Sequence, residues 1–330
     1  MMKKLSLIVT IFLVYCFSFY TTSVNAKSIE LKLGHLLNAK GPQNIGAEKF
    51  AELVRTKTGD SVEVKVFPSS QLGSGPSMLN GLKLGSVDIF VGAVAWGEIW
   101  VKDFGVFGLL NTFRSQEHFL KVLNSDVGRQ LMDKLIDEQG IRIVNYDWYR
   151  PPRQIFSKRP IKTTEDLAGL KIRVPENKVW LRSWKAAGAN PTPIAWGEVF
   201  TSLQQGVIEA MEGPITLVYP MKFHEIAKYS TLTNHTRMYV VFFMSDKRFQ
   251  KLPANVQKAI KEAAQEAGKL VNELEKKAEV ENMKAMKAIG VEFFEAPKDF
   301  FSKAAAIPQE LEKEGVLSKG LFEKIQAIGK

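Results

Sequence analysis

The stretch from Ala254 to Ile289, bounded by Pro253 and Gly290, contains no proline and a single glycine, and alanine, lysine and glutamate dominate it. That composition predicts one long helix or two abutting ones. At about 1.5 Å per residue, such a helix is longer than one lobe of a domain is thick. It therefore braces two lobes or projects as a coiled-coil dimer arm. The apolar positions keep no strict seven-residue repeat, which weighs against the arm and leaves a monomer as the expectation. A chain of 330 residues also favours two lobes over one, and 45% hydrophobic residues are enough to fill both cores.

The amino terminus reads as a signal for export. Lys3 and Lys4 precede an apolar run from Leu5 to Tyr20, followed by Val24-Asn25-Ala26. This is the order of a secretory signal peptide, with cleavage expected after Ala26. The apolar run is short for a membrane span, although an uncleaved anchor is the other reading. The single cysteine, Cys16, lies inside the run behind Tyr15 rather than a small residue, so no lipid anchor is expected. The exported chain then has no thiol and must rest on its core, which fits a bacterial periplasm. A formal charge of +10 comes without blocks of like charge, because lysine and glutamate interleave along the helices. Small anions or plain solvation suit that pattern better than nucleic acid.

Past residue 26, strand and helix patterns alternate. Ile29 to Leu33, Val62 to Phe67, Val87 to Val94 and Ile141 to Asn145 read as strands. Between them lie helical patterns at Asn44 to Thr56, with Ile45, Phe50, Leu53 and Val54 on one face, at Pro76 to Leu84, and at Gln116 to Gln139 as one long helix. The pattern restarts with a strand at Arg153 to Ser157, a short helix at Thr164 to Ala168 and a strand at Leu170 to Val174. Helices follow at Lys178 to Ala187 and Glu198 to Gln205, then strands at Val207 to Glu212 and Met238 to Ser245. The last is apolar throughout, as a strand covered on both faces must be. The fold class is α/β with two lobes.

Catalytic signatures are missing. His224-Glu225 lacks the second histidine of a zinc-protease helix, no G-x-S-x-G elbow occurs, and Gly41 to Gly46 continues as Ala47-Glu48 where a phosphate loop needs lysine and serine or threonine. Paired carboxylates are left open by sequence alone. The expectation is a binding protein and not an enzyme, with no cofactor and no metal. Its ligand would sit in the crevice at the carboxyl ends of the strands.

Several segments are more specific: Val66-Phe67-Pro68-Ser69-Ser70-Gln71-Leu72-Gly73, Lys158-Arg159-Pro160-Ile161-Lys162, Leu170-Lys171-Ile172-Arg173-Val174-Pro175, Gly188-Ala189-Asn190-Pro191-Thr192-Pro193 and Leu203-Gln204-Gln205-Gly206. In order and spacing they resemble the DctP-type substrate-binding proteins of tripartite ATP-independent periplasmic (TRAP) transporters. The resemblance implies a periplasmic receptor that captures an organic acid between two lobes and hands it to TRAP permease subunits in the membrane. It also implies a chain path: residues 27–150 and 239–278 in lobe 1, residues 151–238 and 279–330 in lobe 2, with three crossings as a hinge. A sensory receptor presenting its ligand to a kinase, or a secreted hydrolase, are the rival classes.

By the same resemblance, Arg173 grips the ligand carboxylate, a task for which a planar guanidinium offers two parallel hydrogen bonds. The competing reading pairs Arg173 with Glu176, and Glu176 is kept in the candidate site. Arg153 matches a second cleft arginine, and Arg150 is either a third cation or a surface residue. Trp196 stands at a pocket-lining position, while Trp96 and Trp148 fall at or near cleft segments. His235 matches a position near the ligand, His35 is a looser match, and His118 and His224 read as structural. Gly213 replaces an asparagine found in many members, which opens space. With apolar surroundings from Gly92 to Trp96, the expected ligand is an aromatic, 2-oxo, 2-hydroxy or sugar acid rather than sialic acid, with a C4-dicarboxylate as runner-up.

Overall fold

The computed structural model describes residues 28–329, so the expected signal peptide and Cys16 lie outside the described residues. In chain order the strands are β1 (Ile29–Gly34), β2 (Val62–Phe67), β3 (Ile89–Ala93), β4 (Ile141–Arg150), β5 (Arg153–Ser157), β6 (Lys171–Val174), β7 (Asn190–Pro193), β8 (Ala210–Pro214), β9 (Tyr229–Leu232), β10 (Met238–Ser245) and β11 (Glu292–Glu295). One sheet has the order β2-β1-β3-β10-β4 and the other β11-β9-β5-β8-β6-β7. The α/β, two-lobed expectation therefore holds. Each sheet is mixed: β1 runs parallel to β2 and β3, while β10 is antiparallel to β3 and β4.

Alternation along β10 explains how one strand serves two cores. Val240, Phe242 and Met244 face the core under the helix Pro42–Lys57, whereas Tyr239, Val241 and Phe243 face the opposite one. Successive side chains of a strand point to opposite faces, so an all-apolar strand is the sequence of a sheet covered twice.

The proline-free stretch is a single helix, Ala254–Ala288, of 35 residues. Val256, Ile260, Ala264, Ala267 and Val271 form its buried stripe against the first sheet, and Met286, near its other end, enters the core beneath the second. It braces both lobes. The other crossings are Pro151-Pro152, between the last residue of β4 and the first of β5, and the segment from β9 to β10. The fixed backbone angle of proline suits a stiff crossing. The carboxyl-terminal segment ties the lobes again: Arg182 holds Glu314, while Arg114 and His118 bond backbone oxygens at Gln326 and Ile325.

Three local expectations change. The helix expected over Gln116 to Gln139 is two, Gln116–Leu123 and Asp126–Gln139, because Ser125 caps the second through Gly128 N–H. The corner is tight, since a Cβ on Gly128 would stand 2.3 Å from Leu123 O. Ile45 is 42% exposed, so the buried face of its helix is instead Asn44, Ala47, Phe50 and Val54. The strand expected at Val207 begins at Ala210, because Gly206 turns the chain with φ of 76° and Val207 faces solvent. Short strands β7, β9 and β11 were not legible as strands from their composition.

Candidate ligand site between the two sheets

Residues at the carboxyl ends of β1 and β3 and at the junction of β4 and β5 meet residues following β6 and β7 to line a cavity that opens to solvent, about 540 Å³ with its mouth included. Leu36, Leu37, Ala93, Ala95, Trp96 and Arg150 face it from the first lobe, and Arg153, Arg173, Pro175, Trp180, Trp196 and Leu217 from the second. Three guanidinium groups in a mostly apolar wall form a receptor for an anion.

Arg173 lies in β6 between β7 and β8, opposite Thr192 and Met211. Its Nε donates to Ile194 O at 2.8 Å, which fixes the side chain, and its guanidinium stands 5.4 Å over the Trp196 ring. Its terminal nitrogens stay available to the cavity. Burial pulls its pKa down to about 9, partly offset by Glu212, and Arg153 adds to the pull. The group is still a cation at neutral pH.

Arg153 is differently placed. Its Nε and Nη2 both donate to the Glu212 carboxylate, and Nη2 also reaches Glu212 O at 2.9 Å. The guanidinium stands 4.9 Å over Trp180. Glu212 is fully buried in β8, and burial pushes its pKa up, but Arg153 and a hydrogen bond with His235 outweigh this and hold it well below the usual carboxylate range. Arg150 is 5% exposed, so it is a cavity residue and not a surface one. It donates to Gln43 Oε1, and burial lowers its pKa to about 10.

The remaining candidates divide. Trp196 is 8% exposed, lines the cavity and meets Phe223 edge-on at 5.0 Å. Trp96 lines it from the first lobe, held between Gly75 and Phe90. Glu176 is exposed beside Arg173 and acts on it through charge alone. Trp148 is corrected: it is wholly buried in the first lobe's core, where its Nε1 donates to Ala264 O at 2.7 Å and its ring meets Phe242 at 4.7 Å. Strand alternation turns it toward the long helix and away from the crevice.

His235 is also corrected. It has no exposure; Nε2 lies 3.0 Å from Glu212 Oε2 and Nδ1 2.7 Å from Thr233 Oγ1, so both ring nitrogens are occupied behind Arg153. Gly213 leaves about a methyl group's room: a Cβ there would make ordinary contacts, 3.4 Å from Met211 Cε, 3.6 Å from Val218 Cγ2 and 3.9 Å from Arg153 Nη2. His35 supports the wall from within, with Nδ1 accepting from Leu37 N–H and Nε2 at 3.0 Å from Asn44 Oδ1.

Sequence reasoning missed Glu212, Gln43, Asn177, Trp180 and Glu98. Glu212 carried a signal, because an acid between Met211 and Gly213 in an apolar strand must find a buried partner. Asn177 caps the helix Lys178–Ala186 through Trp180 N–H and donates across the crevice to Ala95 O at 3.0 Å. Beside it, Glu98 accepts from Val179 N–H at 3.0 Å, and burial raises its pKa to about 7. These two contacts hold the walls together across the cavity.

Over residues 33–314 the chain matches the bacterial extracellular solute-binding proteins, family 7 (DctP), and it belongs to that family. It is similar to the solute-binding protein RD1_1052 of Roseobacter denitrificans, 32% identical over 92% of this chain and 90% of that one. The crystal structure of that TRAP periplasmic solute-binding protein, with bound L-galactonate, superposes with a TM-score of 0.84 over 92% of this chain and 99% of the other. It is also similar to the 2,3-diketo-L-gulonate-binding periplasmic protein YiaO of Escherichia coli, 32% identical over 88% of each chain. The sugar-acid-binding protein DctPAm of Advenella mimigardefordensis, in complex with galactonate, superposes at a TM-score of 0.85 with 28% identity, covering 91% of this chain and 97% of that one.

Proposed function

We propose that this chain is the periplasmic receptor of a TRAP transporter for a hydroxylated organic acid, with a sugar acid as the best match, and that it delivers the ligand to the membrane permease subunits. Arg173 carries the reading. It is a buried cation in a mostly apolar cavity, anchored through one nitrogen and free at the others, and that arrangement suits a carboxylate. Arg153, paired with Glu212, forms part of the floor from a fixed position, Trp196 and Trp96 supply flat apolar contact, and Glu176 stands at the rim. The family of solute receptors and the sugar acids named for three relatives support the same reading.

The export signal ends after Ala26. Lobe 1 comprises residues 27–150 and 239–278, and lobe 2 residues 151–238 and 279–330. Closure of the lobes traps the acid, and the ligand favours closure only as far as it binds the closed state better. The role is capture and not turnover. Thermal melting of protein stripped of co-purified ligand, against sugar acids, aromatic acids, oxo acids and dicarboxylates, tests the reading. A ligand at 100 times its dissociation constant adds about 2.7 kcal/mol, a shift of a few degrees. No shift with any acid would refute it.

A further inference from the structure

Behind the cavity, five buried polar atoms lack a protein partner: Gln43 Nε2, Arg150 Nε, Thr216 Oγ1 and both carboxylate oxygens of Glu275. They belong to one cluster. Arg150 Nη2 holds Gln43 Oε1, Glu275 and Arg150 act on each other through charge, and the Thr216 hydroxyl stands beside the Glu275 carboxyl without closing a well-formed hydrogen bond. All four side chains are at least nine-tenths buried, from 0% exposed at Glu275 to 5% at Arg150. Buried polar groups are nearly always satisfied, so this many open donors and acceptors in one place mark a site for a polar group from outside the chain.

The cluster adjoins the cavity. Gln43 and Thr216 line a recess that shares Leu37, Trp196 and Leu217 with the main cavity, and Arg150 lines the cavity itself. Glu275, buried on the long helix that joins the lobes, stands behind Thr216 and Arg150. The mixture of groups defines the chemistry. Gln43 and Arg150 offer N–H donors, Thr216 donates or accepts, and Glu275 accepts, or donates in the protonated form that its burial favours. A hydroxyl, which both donates and accepts, complements that set, whereas a second carboxylate would face the Glu275 oxygens.

We propose that Gln43, Arg150 and Thr216, backed by the buried Glu275, are a second subsite that selects a ligand for hydroxyl groups distant from its carboxylate. The inference rests on the receptor reading above and deepens it. With Arg173 holding the carboxylate, the subsite excludes deoxy acids, whose binding would leave these groups buried and unpaired, and disfavours dicarboxylates. Glu275 acts as a positioning residue for Arg150 and Thr216.

The test is calorimetric titration of stripped, full-length mature protein with L-galactonate, succinate and hexanoate, the last having the same carbon count without hydroxyls. The wild type is expected to prefer galactonate over hexanoate by roughly a hundred-fold or more. Thr216→Val and Glu275→Gln should each cut that preference by about tenfold while leaving hexanoate affinity unchanged. The isosteric glutamine guards against misfolding, and Thr216→Val gives a second, uncharged route. If the wild type binds all three acids equally, or if both variants keep the full preference because the cluster holds structural water alone, the subsite is overturned and the receptor reading stands. If the wild type binds none of the three acids, the subsite is overturned, and the wider panel of acids above decides the receptor reading.

Discussion

Arg153 and Arg173 enter the same cavity from the two strands that flank β8, and each lies over an indole, Trp180 at 4.9 Å and Trp196 at 5.4 Å. Their surroundings differ sharply. Arg153 gives its hydrogen bonds to Glu212, whose other contact is His235, while Arg173 gives one bond to a backbone carbonyl and presents the rest of its guanidinium to the cavity. Two arginines that read alike in sequence thus divide the labour. One is a neutralised strut that sets the floor of the site, and the other is the gripping group. What separates them is a carboxylate 59 residues away.

That contrast can be broken from either side. The largest effect should come from Glu212→Gln, which leaves Arg153 buried without its counter-charge and costs about 3 to 5 kcal/mol of stability. Denaturant unfolding would show it, and an unchanged midpoint would mean that Arg153 is not held by Glu212. The acid side of the stability profile follows in sign. Because Glu212 titrates below its ordinary range when folded, its contribution is present above about pH 4.5 and is lost as pH falls further.

Arg173→Ala should cost about 2 to 5 kcal/mol of ligand affinity with little change in melting temperature. Arg173→Lys should recover only part of this, since an ammonium cannot make the parallel pair of bonds. Equal damage to stability and affinity would dissolve the distinction between the two arginines. Trp196→Leu removes the face beneath Arg173 and should weaken binding by about 0.5 to 2 kcal/mol. Trp180→Leu, beneath the strut, should act on stability and leave affinity nearly intact.

A pH-dependent effect concerns the wall contact at Glu98. Its folded pKa, raised to about 7 by burial, means that the favourable protonated form is fully present below about pH 4.5 and its stabilisation fades as pH rises through 7. Glu275 shifts in the same direction for the same reason. Glu98→Gln should therefore flatten the melting profile between those pH values while leaving the Glu275 share. An unaltered profile would show that Glu98 is solvated in solution.

How much of this was legible beforehand depends on whether the signal is local. The long helix, the doubly covered β10 and the strand that carries Arg173 announce themselves by composition and periodicity. Trp148 and His235 do not, because a tryptophan in a long strand carries no mark of which face is buried, and the partner of His235 is set by pairing between distant strands. Glu275 had a readable signal: it continues the helical stripe of Ile260, Ala264, Ala267 and Val271, where a charge has no business unless something answers it. The neutralisation of Arg153 was readable only as the demand that a buried Glu212 be paired.

The central claim is that the cavity recognises a carboxylate through Arg173. The most direct measurement is calorimetric titration of stripped wild-type protein with L-galactonate and with its uncharged amide. The account predicts binding of the acid and a loss of at least about a hundred-fold for the amide, with Arg173→Ala erasing most of the difference. Equal affinity for acid and amide in the wild type would contradict it.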